Sequence, residues 1–223
     1  MDTSDSPENA RSVTAGSAGS ASGRFSLGVA DLTQAAVFAA LIAALGLPGT
    51  INLGSSGVPI TFQTLGVMLA GAVLGPKKGT LAVVIFMVLA LAGLPILSGG
   101  RNGQTALLSP TAGYFIGFLP AVIVIGVLTA LMMPRYRVVW GALINLFGGM
   151  VVVYACGVIG LLVRTDLTLW AAVSTNGTFI IGDVIKAVVA ALVAAQVHRS
   201  WPGLITPWRS GKRGPTGTAG VAG

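Results

Sequence analysis

Few residues in this chain can do chemistry inside apolar surroundings, and two of them stand one helical turn apart. They are Asp183 and Lys186, in Gly182-Asp183-Val184-Ile185-Lys186. Apolar runs flank them, Thr178-Phe179-Ile180-Ile181 before and Ala187-Val188-Val189-Ala190-Ala191-Leu192-Val193 after. A spacing of three puts both side chains on one face of a helix. A charge at the centre of a membrane helix costs roughly 2.5–3.5 kcal/mol on insertion scales, so a pair persists if its members neutralise each other, reach water or bind something. The carboxylate accepts N–H donors and the ammonium holds an anionic or carbonyl oxygen, which suits a small polar ligand. Two other readings compete: an ion pair satisfied within its own helix, and a proton relay through Asp183 in a secondary transporter.

The rest of the chain decides where that face lies. Of 223 residues, 54% are hydrophobic and 9% charged, and the mean hydropathy is +0.87, too apolar for a water-soluble domain of this size. The expected fold is an all-α integral membrane protein, with the lipid bilayer as its first partner. Its 32 glycines suit helices that approach closely in lipid. The net charge of +7 comes from bases scattered in ones and twos between apolar segments, so no nucleic-acid partner is expected. A single cysteine, Cys156, permits no intrachain disulfide and reads as helix packing.

Six apolar segments are expected, at about 32–47, 62–74, 80–95, 109–133 and 138–163, then one carrying Asp183 and ending near 197. They divide the chain into a disordered cytoplasmic tail at 1–29, a six-helix membrane domain at 30–198 and a basic, flexible cytoplasmic tail at 199–223. From Phe62 to Leu74 a helix would be only about 20 Å long at 1.5 Å per residue, short of a roughly 30 Å hydrocarbon core. That helix either starts earlier or does not cross fully. Gly75-Pro76-Lys77-Lys78-Gly79 and Pro134-Arg135-Tyr136-Arg137 read as tight basic turns.

An even number of crossings puts both termini on one side, and the excess of Lys and Arg names that side as the cytoplasm. Arg11, Arg24, Lys77, Lys78, Arg135, Arg137, Arg199, Arg209, Lys212 and Arg213 then all lie inside, out of 13 bases in the chain. The exceptions are Arg101, Arg164 and Lys186, and they share the outer side. Arg164 reads as paired with neighbouring Asp166. Asp183, Lys186 and Arg101, with Asn52, Gln63, Asn102, Gln104 and Asn176 near them in the topology, would line an outward-opening cavity.

Motifs for other chemistries are missing. Gly211-Lys212 is followed by Arg213, so no phosphate-binding loop is formed there. Gly54-Ser55-Ser56-Gly57 superficially resembles an intramembrane serine-protease motif, but the one histidine, His198, is expected at the opposite membrane face, out of reach as a base. No His, Cys or carboxylate cluster suggests zinc or magnesium, so no metal, no cofactor and no enzyme activity are expected. On the first segment Ala35, Ala39 and Ala43 form one small-residue row and Ala36, Ala40 and Ala44 another beside it. Spacing alone leaves open whether these rows pack inside the protein or dock a partner helix.

Taken in order, Val58-Pro59-Ile60-Thr61-Phe62-Gln63-Thr64-Leu65-Gly66, Leu74-Gly75-Pro76-Lys77-Lys78-Gly79, Gly93-Leu94-Pro95, Ser109-Pro110-Thr111-Ala112-Gly113-Tyr114 and Gly182-Asp183-Val184-Ile185-Lys186-Ala187 resemble the BioY family. These are the biotin-specific S components of energy-coupling factor transporters. The resemblance covers about 30–197. It implies six transmembrane helices in the plasma membrane, biotin bound near the outer face, and association with a transmembrane coupling subunit and two ATPase subunits. The family's Asp-x-x-Lys falls on Asp183 and Lys186 and its loop arginine on Arg101, and its alanine-rich docking stripe favours the partner-docking reading of the two alanine rows. With Gln63 and Asn102 these make the expected ligand-binding set. An S component for a different vitamin is the nearest alternative.

Overall fold

In a computed structural model the chain is described over residues 28–47 and 61–205. The tail expected at 1–29 therefore falls almost wholly outside the described residues. So do the loop with Asn52 and Gly54-Ser55-Ser56-Gly57, and the basic segment from 206 onward. Every described element is helical, apart from one isolated bridge pairing between Leu97 and Arg101.

The first helix, α1 (Val29–Ala44), starts where the Asp31 carboxylate accepts the Gly28 N–H at 3.2 Å, satisfying an amide with no intrahelical partner. The next, α2 (Gln63–Leu91), is two helical arms joined across a kink. Gly75 has φ 76° and ψ −171° and is followed by Pro76, a left-sided conformation that glycine adopts without steric cost. Beyond it the helix runs back along itself. A Cβ on Gly79 would lie 2.5 Å from the Ala70 carbonyl oxygen, whereas nine residues of straight helix would separate the two by about 13 Å. The basic turn expected at 75–79 is thus the bend of a tight helical hairpin, with arms 63–74 and 76–91. Its open ends are tied together where Gln63 Nε2 donates to the Ile96 carbonyl at 2.9 Å.

A short helix, α3 (Gly103–Leu108), is capped by Asn102, whose Oδ1 accepts the Thr105 N–H at 2.9 Å. It leads into α4 (Ala112–Met132), the most apolar of the long helices. Residues 138–164 follow as α5 (Val138–Leu146), a π-helical turn at Phe147–Val152, and α6 (Val153–Arg164). Where a loop was expected around 168–176 there is instead a short helix, α7 (Leu169–Ser174), and a 3-10 turn at Thr175–Phe179. These feed α8 (Ile180–Ser200), which carries Asp183 and Lys186.

Among the described residues, four helical runs are long and apolar enough to cross a membrane: Gln63–Leu91, Ala112–Met132, Val138–Arg164 and Leu169–Ser200. The chain is therefore a multi-pass membrane protein, with only helical elements among its described residues. Helix α2 lies at the centre, packed on α1, α4 and α8, and α6 packs against α4. The α4–α6 crossing is unusually close, since a Cβ on Gly113 would meet the Cys156 carbonyl and would lie 2.9 Å from Gly160 Cα. Small residues let helix backbones touch in this way, and Cys156 contributes packing as expected. Gly113→Val should therefore force the two helices apart. We expect it to cost roughly 1–3 kcal/mol or more, as overpacked cores do, read as a lower melting temperature of the detergent-purified protein.

The bases sort to two ends of the bundle. Lys78 Nζ donates to the Leu204 carbonyl at 3.1 Å and pairs with Asp31 at 3.6 Å, bringing the hairpin bend to the end of α8. Tyr136 stacks at 5.2 Å on His198 at the same end. Lys77, Lys78, Arg135, Arg137 and Arg199 gather there, and Arg101, Arg164 and Lys186 belong to the other end. Arg164 does not pair with Asp166. Its Nη1 donates to the Leu107 carbonyl at 2.6 Å, because the end of α6 lies beside the frayed carbonyls of α3.

Candidate ligand-binding site

A small cavity of about 90 Å³ opens at the end of the bundle away from the basic turns. The first two turns of α8 supply Asp183 and Lys186, 3% and 7% exposed. Lys186 Nζ lies 2.8 Å from Asp183 Oδ1, so the pair expected from the sequence is formed. The ammonium also donates to the Thr61 carbonyl at 2.7 Å and to Thr64 Oγ1 at 3.2 Å, which occupies all three of its protons. The pair is therefore not sealed within one helix, since the ammonium clasps the start of α2 to α8.

Asp183 is held from two further elements. Thr64 Oγ1 donates to Oδ1 at 3.4 Å, and the Tyr154 hydroxyl of α6 donates to Oδ2 at 2.5 Å. Buried charges persist when their lone pairs and protons are matched in this way. Phe62 lies below the ammonium, its ring centre 5.9 Å from Nζ, within reach of a cation–π attraction.

A second polar group comes from the loop before α3. Arg101 Nε donates to the Ser98 carbonyl at 3.4 Å and Nη1 to Thr111 Oγ1 at 3.3 Å. These bonds aim the guanidinium and leave further N–H donors for an anion. Gln63 lines the cavity too, but its carboxamide is engaged at both ends, donating to Ile96 and accepting the Ser98 N–H at 3.3 Å. Gln63 therefore shapes the loop that carries Arg101. Ser98 is 2% exposed and its hydroxyl has no hydrogen-bond partner among the described residues, although it sits in the cavity wall. Such an orphaned group calls for an explanation, and an ordered water or a bound polar group would supply one. The rest of the wall is apolar or aromatic, including Leu97, Phe115, Phe118, Val153 and Phe179.

Of the other polar residues expected here, Asn102 is not among those lining the cavity, and its side chain caps α3. Gln104 donates to the Leu91 carbonyl at 3.2 Å. Asn176 accepts the Tyr114 hydroxyl at 2.7 Å, fixing an aromatic wall. Tyr154, Thr64, Ser98 and Thr111 were not expected. Nothing in their residue types sets them apart from ordinary helix positions, although Thr64 and Thr111 stand within the motifs quoted above.

On α1 the two alanine rows separate. Ala35 and Ala39 are buried against the bundle and Ala43 is half-buried, while Ala36, Ala40 and Ala44 are exposed. The contact behind the first row is tight: a Cβ on Gly66 would lie 3.0 Å from Ile42 Cα.

The helical membrane bundle thus brings a buried acid–base pair and a loop arginine to the lining of one cavity. This chain belongs to the BioY family, whose profile matches residues 15–203. It is 44% identical over 182 residues to the biotin transporter BioY of Rhodobacter capsulatus, covering 77% of this chain and 95% of that one. Against the Lactococcus lactis protein of the same name it is 38% identical over 174 residues, covering 77% and 92%. Among solved structures it resembles the S-component for biotin from an ECF-type ABC transporter, with a TM-score of 0.73 and 35% identity over 77% of this chain and 92% of that one.

Proposed function

We propose that this chain is the biotin-binding, substrate-capture subunit of an energy-coupling factor vitamin transporter. Membership of the family and the likeness to a biotin S component support that role. The observation that carries the assignment of the site is the Asp183–Lys186 pair, buried at the floor of a cavity whose wall bears Arg101. Biotin matches it group by group. Its ureido ring offers N–H donors and a carbonyl to the Asp183 and Lys186 end, its bicycle suits the aromatic wall, and its carboxylate suits Arg101 and the unpartnered Ser98 hydroxyl. Charge-assisted hydrogen bonds of this kind contribute about 1.5–3 kcal/mol each.

The chain crosses the plasma membrane six times in this reading. The arms of the α2 hairpin count separately, α1 is added to the long runs, and both termini are cytoplasmic, on the side of the basic turns. Residues 30–198 form the membrane domain, flanked by tails at 1–29 and 199–223. The subunit has no ATPase site of its own. A transmembrane coupling subunit and two ATPase subunits supply the energy, and the exposed row Ala36, Ala40 and Ala44 docks the coupling subunit.

Titrating the purified full chain with biotin and with other vitamins tests the assignment. Saturable binding of biotin alone is the expected result, and preference for another vitamin would replace it. Uptake into vesicles holding only this chain, driven by a proton gradient, would favour the relay reading of Asp183. Its tight pairing with Lys186 argues against that reading.

A further inference from the structure

Asp183 and Tyr154 together carry a more specific arrangement than a single carboxylate. Asp183 Oδ1 is already shared by Lys186 at 2.8 Å and Thr64 at 3.4 Å, so a ligand can only be offered Oδ2. That oxygen is covered by the Tyr154 hydroxyl at 2.5 Å. If the hydroxyl turns away, one donor and one acceptor stand side by side, both lining the cavity. In a cyclic urea or a cis amide the N–H nitrogen and the carbonyl oxygen are about 2.3 Å apart, from the lengths of their bonds to carbon. With the bond between them opened, the Tyr154 and Asp183 oxygens would stand somewhat farther apart than their present 2.5 Å, near enough to meet that edge with slightly divergent hydrogen bonds.

We propose that Tyr154 is a specificity-determining residue that donates its hydroxyl proton to the ureido carbonyl while Asp183 Oδ2 accepts the adjacent ureido N–H. This rests on the biotin reading above and sharpens it: Asp183 reads one ureido N–H rather than two, and the carbonyl is read by Tyr154. Paired with each other, the two side chains leave neither polar group orphaned before a ligand arrives. Binding exchanges one hydrogen bond for two parallel ones, without moving Lys186 from its clasp. Tyr154 has room for the change, because its ring also borders a groove on its other side, toward Ala155, Val158 and Ile180.

The test uses the purified full chain and its Tyr154→Phe variant with biotin carrying carbon-13 at the ureido carbonyl. Affinity by itself is ambiguous, because removing the hydroxyl also uncovers Asp183 Oδ2 in the ligand-free protein and so favours binding. The infrared band of the bound carbonyl has no such ambiguity. With the phenylalanine variant it should move to higher frequency, having lost a donor. A second readout cancels the uncovering of Asp183: the ratio of affinities for biotin and for its thiocarbonyl analogue, a weaker acceptor. That ratio should fall about fivefold in the variant, the size of one neutral hydrogen bond. An unmoved band together with an unchanged ratio would overturn the proposal and leave Tyr154 as a cover for Asp183. If the wild-type chain binds no biotin in the same titration, the underlying reading fails, and that result is distinct from either outcome in the variant.

Discussion

Replacing Asp183 by asparagine is expected to weaken biotin binding by about 100-fold or more while leaving the cavity's shape intact. The substitution is nearly isosteric, so its effect comes from charge and proton count. The new carboxamide could still accept from Lys186 through its one carbonyl oxygen, in place of the 2.8 Å contact of Oδ1. Its nitrogen would then stand where Oδ2 now accepts the Tyr154 hydroxyl, and would meet a ligand N–H as a second donor. The lost charge-assisted bond alone is worth about 1.5–3 kcal/mol, or roughly 10- to 150-fold, and the donor–donor conflict adds to it. Stability should suffer separately. Lys186, at 7% exposed, would keep its bonds to Thr61 and Thr64 but lose its counter-charge, and breaking a buried pair from one side costs up to about 3–5 kcal/mol. The double variant Asp183→Asn with Lys186→Met removes the stranded charge, so it should regain much of the melting temperature and none of the affinity. Calorimetric titration with biotin and thermal unfolding of the same samples separate the two effects. Binding of the single variant within about threefold of wild type would contradict the assignment of Asp183.

The site is legible in the sequence to the extent that it is made of rare things. Acids and bases inside apolar runs are scarce, so Asp183 and Lys186 declare themselves, and the sorting of bases by side picks out Arg101. The bend at Gly75-Pro76 is legible for a similar reason, because those two residues interrupt a helix by known mechanisms. Tyr154 and Thr64 carry no such mark. Whether Tyr154 faces the cavity depends on the π turn before it. The buried positions along this span are Gly141, Asn145, the adjacent pair Gly148 and Gly149, Val153, Gly157 and Leu161, so a row from Gly141 through Gly149 to Leu161 recurs every four residues. In an ideal α-helix that spacing would swing the row by about 40° per step. The wider turn at Phe147–Val152 takes up part of that drift, and no residue type encodes it. Asn102 and Gln104 show the converse error. They are polar and close in the topology, but their hydrogen bonds go to a helix cap and a helix end. Arg164 likewise has an acid two residues away, yet it bonds to a carbonyl 57 positions back in the chain that only the fold brings near.

Ala40→Trp is expected to leave biotin binding unchanged and to abolish capture of the coupling subunit, and with it uptake. Adjacent helix positions differ by about 100° around the axis, so the sequence shows two alanine rows without saying which turns inward. Packing on α2 decides it: Ala39 is 3% exposed, beside Ile42 at 0%, and Ala40 faces outward. A large side chain at Ala40 therefore adds bulk to lipid-facing surface and disturbs nothing within the subunit. Against a second helix it would hold the backbones apart, and close approach is what small residues provide in a membrane, where no hydrophobic force drives helices together. Ala39→Trp is the paired control. It must displace α1 from α2, at a cost of about 1–3 kcal/mol or more by the general behaviour of overfilled cores, so it should lower the melting temperature and disturb the start of α2, where Thr61 and Thr64 hold Lys186. Co-purification with the coupling subunit, biotin titration and thermal unfolding give each variant a distinct pattern. Full assembly and uptake by Ala40→Trp would move the docking surface elsewhere on the bundle, because no smaller perturbation of that row would then be expected to break it.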